Sequence, residues 1–118
     1  MRVKEALAQA AGKAAASYLE GCGFRILDRD WRCDGEIISI VAADRRVFVA
    51  VDLRVRAGIR HGAPLDAIGT GRKQAMRRLA VRWLTEHGTR AGRIRIDVVG
   101  LLQDGNGGFT IEHVRAVG

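Results

Sequence analysis

The sequence predicts an α/β domain in which a central mixed sheet is flanked by helices, with its elements in the order α-β-β-β-α-β-β. Two Ala- and Leu-containing segments, one near the start and one past the middle of the chain, carry apolar residues at helical spacing. Around them lie Ile- and Val-rich segments that alternate or run unbroken, as strands do. Glycine-containing turns separate these segments, and their order gives a sheet flanked by helices. The chain has 118 residues, 47% of them apolar and 28% charged. That balance supports a packed core, and the length suits one domain spanning residues 1–118.

The first helix is expected from about Lys4 to Glu20, where Leu7, Ala11, Ala14 and Tyr18 approximate one stripe. Gly21-Cys22-Gly23 stops it, because glycine past a helix end takes the left-handed conformation at little cost. Phe24 to Leu27 reads as a short strand, followed by a charged connection from Asp28 to Asp34 that holds Trp31. Glu36 to Ala42 is dominated by Ile and Val, as a buried strand would be. Asp44-Arg45-Arg46 makes a tight polar turn into Val47–Val55, and the two strands form a hairpin. Ala57 to Gly71, with Gly58, Gly62, Pro64 and Gly69, reads as an irregular connection.

Thr70 is expected to cap a helix running to about His87 and ending at Gly88. Its apolar stripe is Met76, Leu79, Ala80, Trp83 and Leu84, with Arg78 and Arg82 opposite and Arg72 and Lys73 in the first turn. Arg93 to Leu102 alternates as a strand, Asp104-Gly105-Asn106-Gly107-Gly108 is a turn, and Phe109 to Val114 is the last strand.

Charge is distributed unevenly. From Arg54 to Arg82 the chain holds eight basic residues, Arg54, Arg56, Arg60, Arg72, Lys73, Arg77, Arg78 and Arg82, against one acid, Asp66. With totals of 20 basic and 13 acidic residues, twelve of each sign remain elsewhere, so the net charge of +7 arises in this one block. Clustered Arg and Lys displace condensed counterions when they meet phosphates, which makes the block the footprint of a polyanion-binding surface. Gln74 joins it, since Lys73 and Gln74 stand in the first turn of a helix, where backbone N–H groups and the dipole favour phosphate.

Gln9, Gly12 and Lys13 interrupt the alanine-rich N-terminal run before it could form a signal peptide or membrane span, so a cytoplasmic protein with no membrane partner is expected. Cys22 and Cys33 lack the ligand spacing of a zinc site and are read as two buried, reduced thiols. Trp31 and Trp83 are read as core, and none of His61, His87 and His113 is assigned as a base or ligand.

Metal-dependent phosphodiester hydrolysis needs carboxylates that converge on a divalent cation, commonly with a lysine. Only Glu36 and Asp52 offer acids on the hairpin strands. At these positions the sequence resembles the YraN-like proteins of the restriction-endonuclease-like, PD-(D/E)XK, superfamily. The resemblance runs from about Ala11 to Val114. It is carried by Tyr18-Leu19, Gly23-Phe24-Arg25-Ile26-Leu27, Asp30-Trp31-Arg32-Cys33, Gly35-Glu36-Ile37, Phe48-Val49, Gly62, Pro64, Arg72-Lys73-Gln74, Arg77-Arg78, Asp97-Val98-Val99 and Ile111-Glu112-His113.

The resemblance implies a restriction-endonuclease-like fold and places the family's catalytic motif on the hairpin. There the chain departs from the pattern. Ile38 stands where the metal-binding aspartate would be, Ala50 where the second carboxylate would be, and Asp52 where the lysine would be. Ala11-Gly12 stands where the first helix would carry Gly-Glu. Ile and Ala offer a hard cation no oxygen, so Glu36 and Asp52 are read as remnants, with Asp52 expected to pair with Arg54 or an arginine of the second helix.

The reading is therefore a nucleic-acid-binding protein of nuclease fold, inactive or weakly active, that needs no cofactor and meets DNA or RNA backbone. Two alternatives remain open. One is a Mg²⁺- or Mn²⁺-dependent endonuclease with a relocated site at Glu36 and Asp52; the other is a structural or regulatory partner of an active homologue or of another copy of itself.

Overall fold

The structure, a computed structural model, describes residues 3–57, 68–90 and 92–117. Its elements are α1 (Val3–Gly21), β1 (Arg25–Cys33), β2 (Glu36–Asp44), β3 (Val47–Ala57), α2 (Thr70–Glu86), β4 (Arg93–Gln103) and β5 (Phe109–Val114). The order α-β-β-β-α-β-β is the expected one. Five strands form a single sheet in the order β1-β2-β3-β4-β5. The β3–β4 pair is parallel and the others antiparallel, so the sheet is mixed.

The parallel pair follows from chain geometry, because a parallel neighbour needs a crossover and α2 supplies it. One face of the sheet packs on α2 through Ile38, Phe48, Ala50, Ile96 and Val98 against Met76, Leu79, Ala80 and Trp83. The other packs on α1 through Ile40, Val49, Val51, Val99 and Leu101 against Ala11, Ala15 and Leu19. Covering both faces explains why β2 and β4 read as nearly continuous apolar runs. On β3 the alternation is clean, with Val49 and Val51 toward α1 and Phe48 and Ala50 toward α2. On β2 it breaks between Ile38, which joins the α2 side, and Ile40, which joins the α1 side.

The first strand is longer than the sequence suggests. β1 continues through the charged stretch to Cys33, with a register shift between Ile26 and Asp28. It is an edge strand, so Arg29, Asp30 and Arg32 remain exposed while the backbone still pairs with β2. Ile26 faces the α1 side and Trp31 the α2 side.

The cap of α2 is Gly69, with φ −66° and ψ 150°, and Thr70 is the first helical residue without a side-chain capping bond. Cys22 is exposed and Cys33 half-buried, both free thiols, so the expected burial of Cys22 fails. Cys22 lies past the last turn of α1, whose stripe ends at Leu19. The central part of the predicted connection, residues 58–67 with Arg60, His61 and Pro64, lies outside the described residues. Among the described residues no helix is long and apolar enough to cross a membrane.

Leu19 is the largest fully buried side chain that α1 contributes. The Leu19→Ala variant is expected to lose about 3 kcal/mol of stability, through lost transfer energy and the cavity left behind. A urea titration followed by far-ultraviolet circular dichroism measures this, and an unchanged midpoint would contradict the packing of α1 on the sheet.

Candidate nucleic-acid interface

The buried stripe of α2 is Ala75, Met76, Leu79, Ala80, Trp83 and Leu84. Helical periodicity then places the charged residues on the other side. Gln74, Arg78, Arg82 and Glu86 follow one row at four-residue spacing, and Lys73, Arg77 and Val81 follow the next. Gln74, Arg77, Arg78 and Arg82 are exposed and Lys73 is half-buried. Arg77 and Arg78 form no ion pair with any described residue. Arg82 is engaged, with Glu86 at 3.0 Å and Asp34 at 3.9 Å. Val81, 52% exposed, gives this cationic face an apolar contact.

Arg72 turns inward. Its Nη2 donates to Asp52 Oδ1 at 3.1 Å and to the Ile37 carbonyl at 3.2 Å, tying the start of α2 to β2 and β3. Arg54 Nε lies 3.9 Å from Asp52 Oδ2. Asp52 therefore has two guanidinium partners, the pairing expected of it, and its side chain is 14% exposed. Arg56 is half-buried on β3, and Arg60 lies outside the described residues.

Glu36 and Asp52 are not brought together. The β2–β3 ladder ends at Ile40 opposite Val51, so Asp52 stands one residue and Glu36 four residues beyond the last pair. A strand advances about 3.3 Å per residue, which separates the two acids by roughly 10 Å along the strands. Glu36 instead lines a 310 Å³ cleft with Cys33, Asp34, Arg78 and Arg82. Among the described residues no three His, Cys, Asp or Glu side chains gather in a metal-holding group.

Ile38 and Ala50 are both fully buried and belong to the core cluster under α2. At Gly12 a Cβ would come within 2.6 Å of Arg29 Nη2, so a guanidinium occupies the space beside this helical glycine. The neighbours of Gly12, Ala11 and Ala15, belong to the opposite core cluster.

A cluster on the α1 side was not identified from the sequence. Asp97, on β4, has no solvent exposure and is the one buried charged residue described. Arg95 donates to it twice, Nε to Oδ1 at 2.8 Å and Nη2 to Oδ2 at 2.9 Å. The Ala116 N–H donates to Oδ1 at 3.1 Å, and His113 Nε2 lies 2.8 Å from Oδ2. The ionised carboxylate only accepts, so Nε2 carries the proton in that bond. Tyr18 OH meets the other ring nitrogen at 3.2 Å, and Arg95 Nη1 continues to Asp44 Oδ2 at 3.0 Å. Burial alone would raise the Asp97 pKa, but the bonds from His113, Arg95 and Ala116 and the charge of Arg95 outweigh it and hold the carboxyl at about 2. For Tyr18, burial is the main cause of a raised pKa.

Residues 11–101 match the family described as "Uncharacterised protein family UPF0102". A UPF0102 protein of Arthrobacter sp. (strain FB24) is 40% identical over 118 residues, covering all of both chains. One from Beutenbergia cavernae is 39% identical over 119 residues, again covering all of both. One from Frankia casuarinae is 38% identical over 116 residues, 98% of each chain. Among solved structures, "The structure of Pyrococcus Furiosus SfsA in complex with Ca2+" is similar in outline, with a TM-score of 0.45 and 16% identity over 91% of this chain and 63% of that one.

The Asp97 cluster sets an acid limit on stability. The folded carboxyl lies at about 2, below its ordinary 3.8, so its contribution is complete above the unfolded value and is lost as pH falls through the folded one. Unfolding free energy is expected to drop by about 2 kcal/mol from this group between about pH 5 and pH 2. The Asp97→Asn variant takes from Arg95 the buried one of its two carboxylate partners and is expected to start about 3 kcal/mol lower, with a flatter acid limb. Urea titrations across that range measure both, and parallel curves for the two proteins would refute the assignment.

Proposed function

This chain belongs to the UPF0102 family, and on that premise we propose that it is a nuclease-fold protein that binds the phosphate backbone of DNA or RNA without cleaving it. The single observation that carries this reading is the outer face of α2, where Arg77 and Arg78 stand exposed without an ion-pair partner among the described residues. Lys73 and Gln74 lie one helical turn before them on the same two rows. Guanidinium groups present planar forks of donors that match phosphate oxygens, and cations left unpaired at the surface keep that capacity. Arg54, Arg56 and Arg60 extend the basic segment in sequence toward the start of α2, where Arg72 braces β2 and β3.

The absence of cleavage is supported by chemistry at three positions. Ile38 and Ala50 are buried hydrocarbon where the resemblance puts metal-binding acids, and a hard divalent ion takes oxygen ligands. Asp52, where a catalytic lysine would steady developing charge, is an acid compensated by Arg72 and Arg54. A cation recruited to Asp52 would have to displace Arg72, and Glu36 is too remote along the hairpin to share the ion.

Binding of a short DNA duplex and a short RNA, measured by fluorescence anisotropy over a salt series, tests this reading. Affinity is expected to fall steeply with salt, and the Arg77→Ala/Arg78→Ala variant is expected to reduce the slope of log K against log salt by about 2. Binding that is absent, or indifferent to salt, removes the proposal. Incubation of the same nucleic acids with Mg²⁺ or Mn²⁺ is expected to leave them intact. Strand scission that disappears in the Glu36→Ala/Asp52→Ala variant would replace a binder with a metal-dependent endonuclease.

A further inference from the structure

A second basic feature lies at the end of the sheet where β2 turns into β3. There β1 begins at Arg25, paired with Ala43, and β4 begins at Arg93, paired with Val47. A 790 Å³ cleft opens at this end, lined by Cys22, Asp44, Arg45, Arg46, Val47 and Arg115. None of these residues belongs to α2 or to the basic block from Arg54 to Arg82.

The cations of the cleft are arranged, not scattered. The Arg115 guanidinium lies 5.1 Å from the centroid of the Phe24 ring, and its Nη1 is 3.7 Å from Asp44 Oδ2. The aromatic face and the carboxylate together place it on the wall of the cleft. Asp44, the only acid among the described residues that line the cleft, is already bound by Arg95 at 3.0 Å. It therefore offers the cavity little uncompensated negative charge. Arg45 and Arg46 are exposed and form no ion pair with any described residue. Arg25 and Arg93, also exposed, flank the opening along the neighbouring strands.

Arg45 takes φ 57°, in the left-handed region that a two-residue hairpin turn calls for and that glycine or asparagine fits better than arginine. At the hairpin tip the strained position carries an arginine that points its charge toward no described acid.

We infer that this cleft is a second anion site, which takes a phosphate group between Arg45, Arg46 and Arg115. It goes beyond the α2 reading, because it needs only a phosphate-bearing ligand and uses none of the α2 arginines. The phosphate belongs either to a nucleic-acid strand or to a free nucleotide, and the chemistry of recognition is common to both.

Backbone amide NMR of the full chain tests the site with separate probes: inorganic pyrophosphate, a mononucleotide and a short single-stranded oligonucleotide. Pyrophosphate is expected to move the amides of Cys22, Gly23, Arg45, Arg46 and Arg115 saturably. The Arg45→Asn/Arg46→Gln variant is expected to weaken that response by about tenfold, the scale of losing charge-assisted hydrogen bonds. Asparagine suits the left-handed position, so thermal stability is expected to be kept and confirms that the variant folds. Cleft shifts with the oligonucleotide assign the phosphate to a strand, and shifts with the mononucleotide but not the oligonucleotide assign it to a free nucleotide. Silence of the cleft toward every probe, or an undiminished pyrophosphate response in the double variant, overturns the site. A cleft that responds to pyrophosphate while the α2 amides ignore the oligonucleotide upholds this site and defeats the α2 reading.

Discussion

A fully buried carboxylate in the middle of β4 has to be matched by donors, and the arrangement of much of the α1 side follows from how Asp97 is matched. Arg95 alone supplies two of the bonds, from two residues away on the same strand face. The remaining donors come from His113 on β5 and from the Ala116 N–H beyond it, so the carboxylate fixes the last strand and the segment that follows. The Val117 N–H, bonded to the Ile96 carbonyl at 2.8 Å, closes the same connection. Arg95 also reaches across β3 to Asp44 at the end of β2, and Tyr18 brings α1 to His113. A single charge thus couples one helix, three strands and the C-terminal segment. Removing Arg95 would leave the desolvated carboxylate with only His113 and a backbone N–H as donors among the described residues.

Much of this architecture was legible because local pattern and tertiary role agree. The stripe of α2 is the buried face observed, and the alternation of β3 divides its residues between the two helices. The reading failed where pattern depends on position within the sheet. Charges from Asp28 to Asp34 look like a connection, yet an edge strand exposes enough of its side chains to carry them, so β1 continues. Arg95 and Asp97 are polar members of an alternating strand, and alternation alone suggests a solvated face. With helices on both faces of the sheet, that face is inside. The spacing of Arg95 and Asp97 was a usable signal. His113 offered none, since it reaches them only through the pairing that sets Val99 opposite His113.

The sequence counts as open to phosphate several cations that the fold engages elsewhere. Counting cations between Arg54 and Arg82 treats each as available, but Arg72 and Arg54 are turned onto Asp52, and Arg82 is shared between Glu86 and Asp34. Arg72 in particular reads as a phosphate contact at a helix start. Its bonds to the Ile37 carbonyl and to Asp52 give it a structural role where two strands and a helix meet. Ile38 and Ala50 pack as hydrocarbon beneath α2, and Asp52 on the same hairpin is paired with Arg72.

The same correction applies with opposite sign to the rest of the chain. Outside the basic block the residues number twelve of each sign, which suggests a neutral remainder. Surface potential depends on which charges reach solvent, and some of those acids do not act there. Asp97 is enclosed, and Asp44 is held by Arg95. Because Asp97 and Asp44 share Arg95, two acids are matched there by one cation, and the remainder is left with an excess of cations such as Arg45 and Arg46 on the hairpin tip. The buried charge that organises the α1 side, by occupying Arg95 together with Asp44, is therefore also part of the reason that the β2–β3 end of the sheet is basic, though the chain outside the basic block is balanced overall.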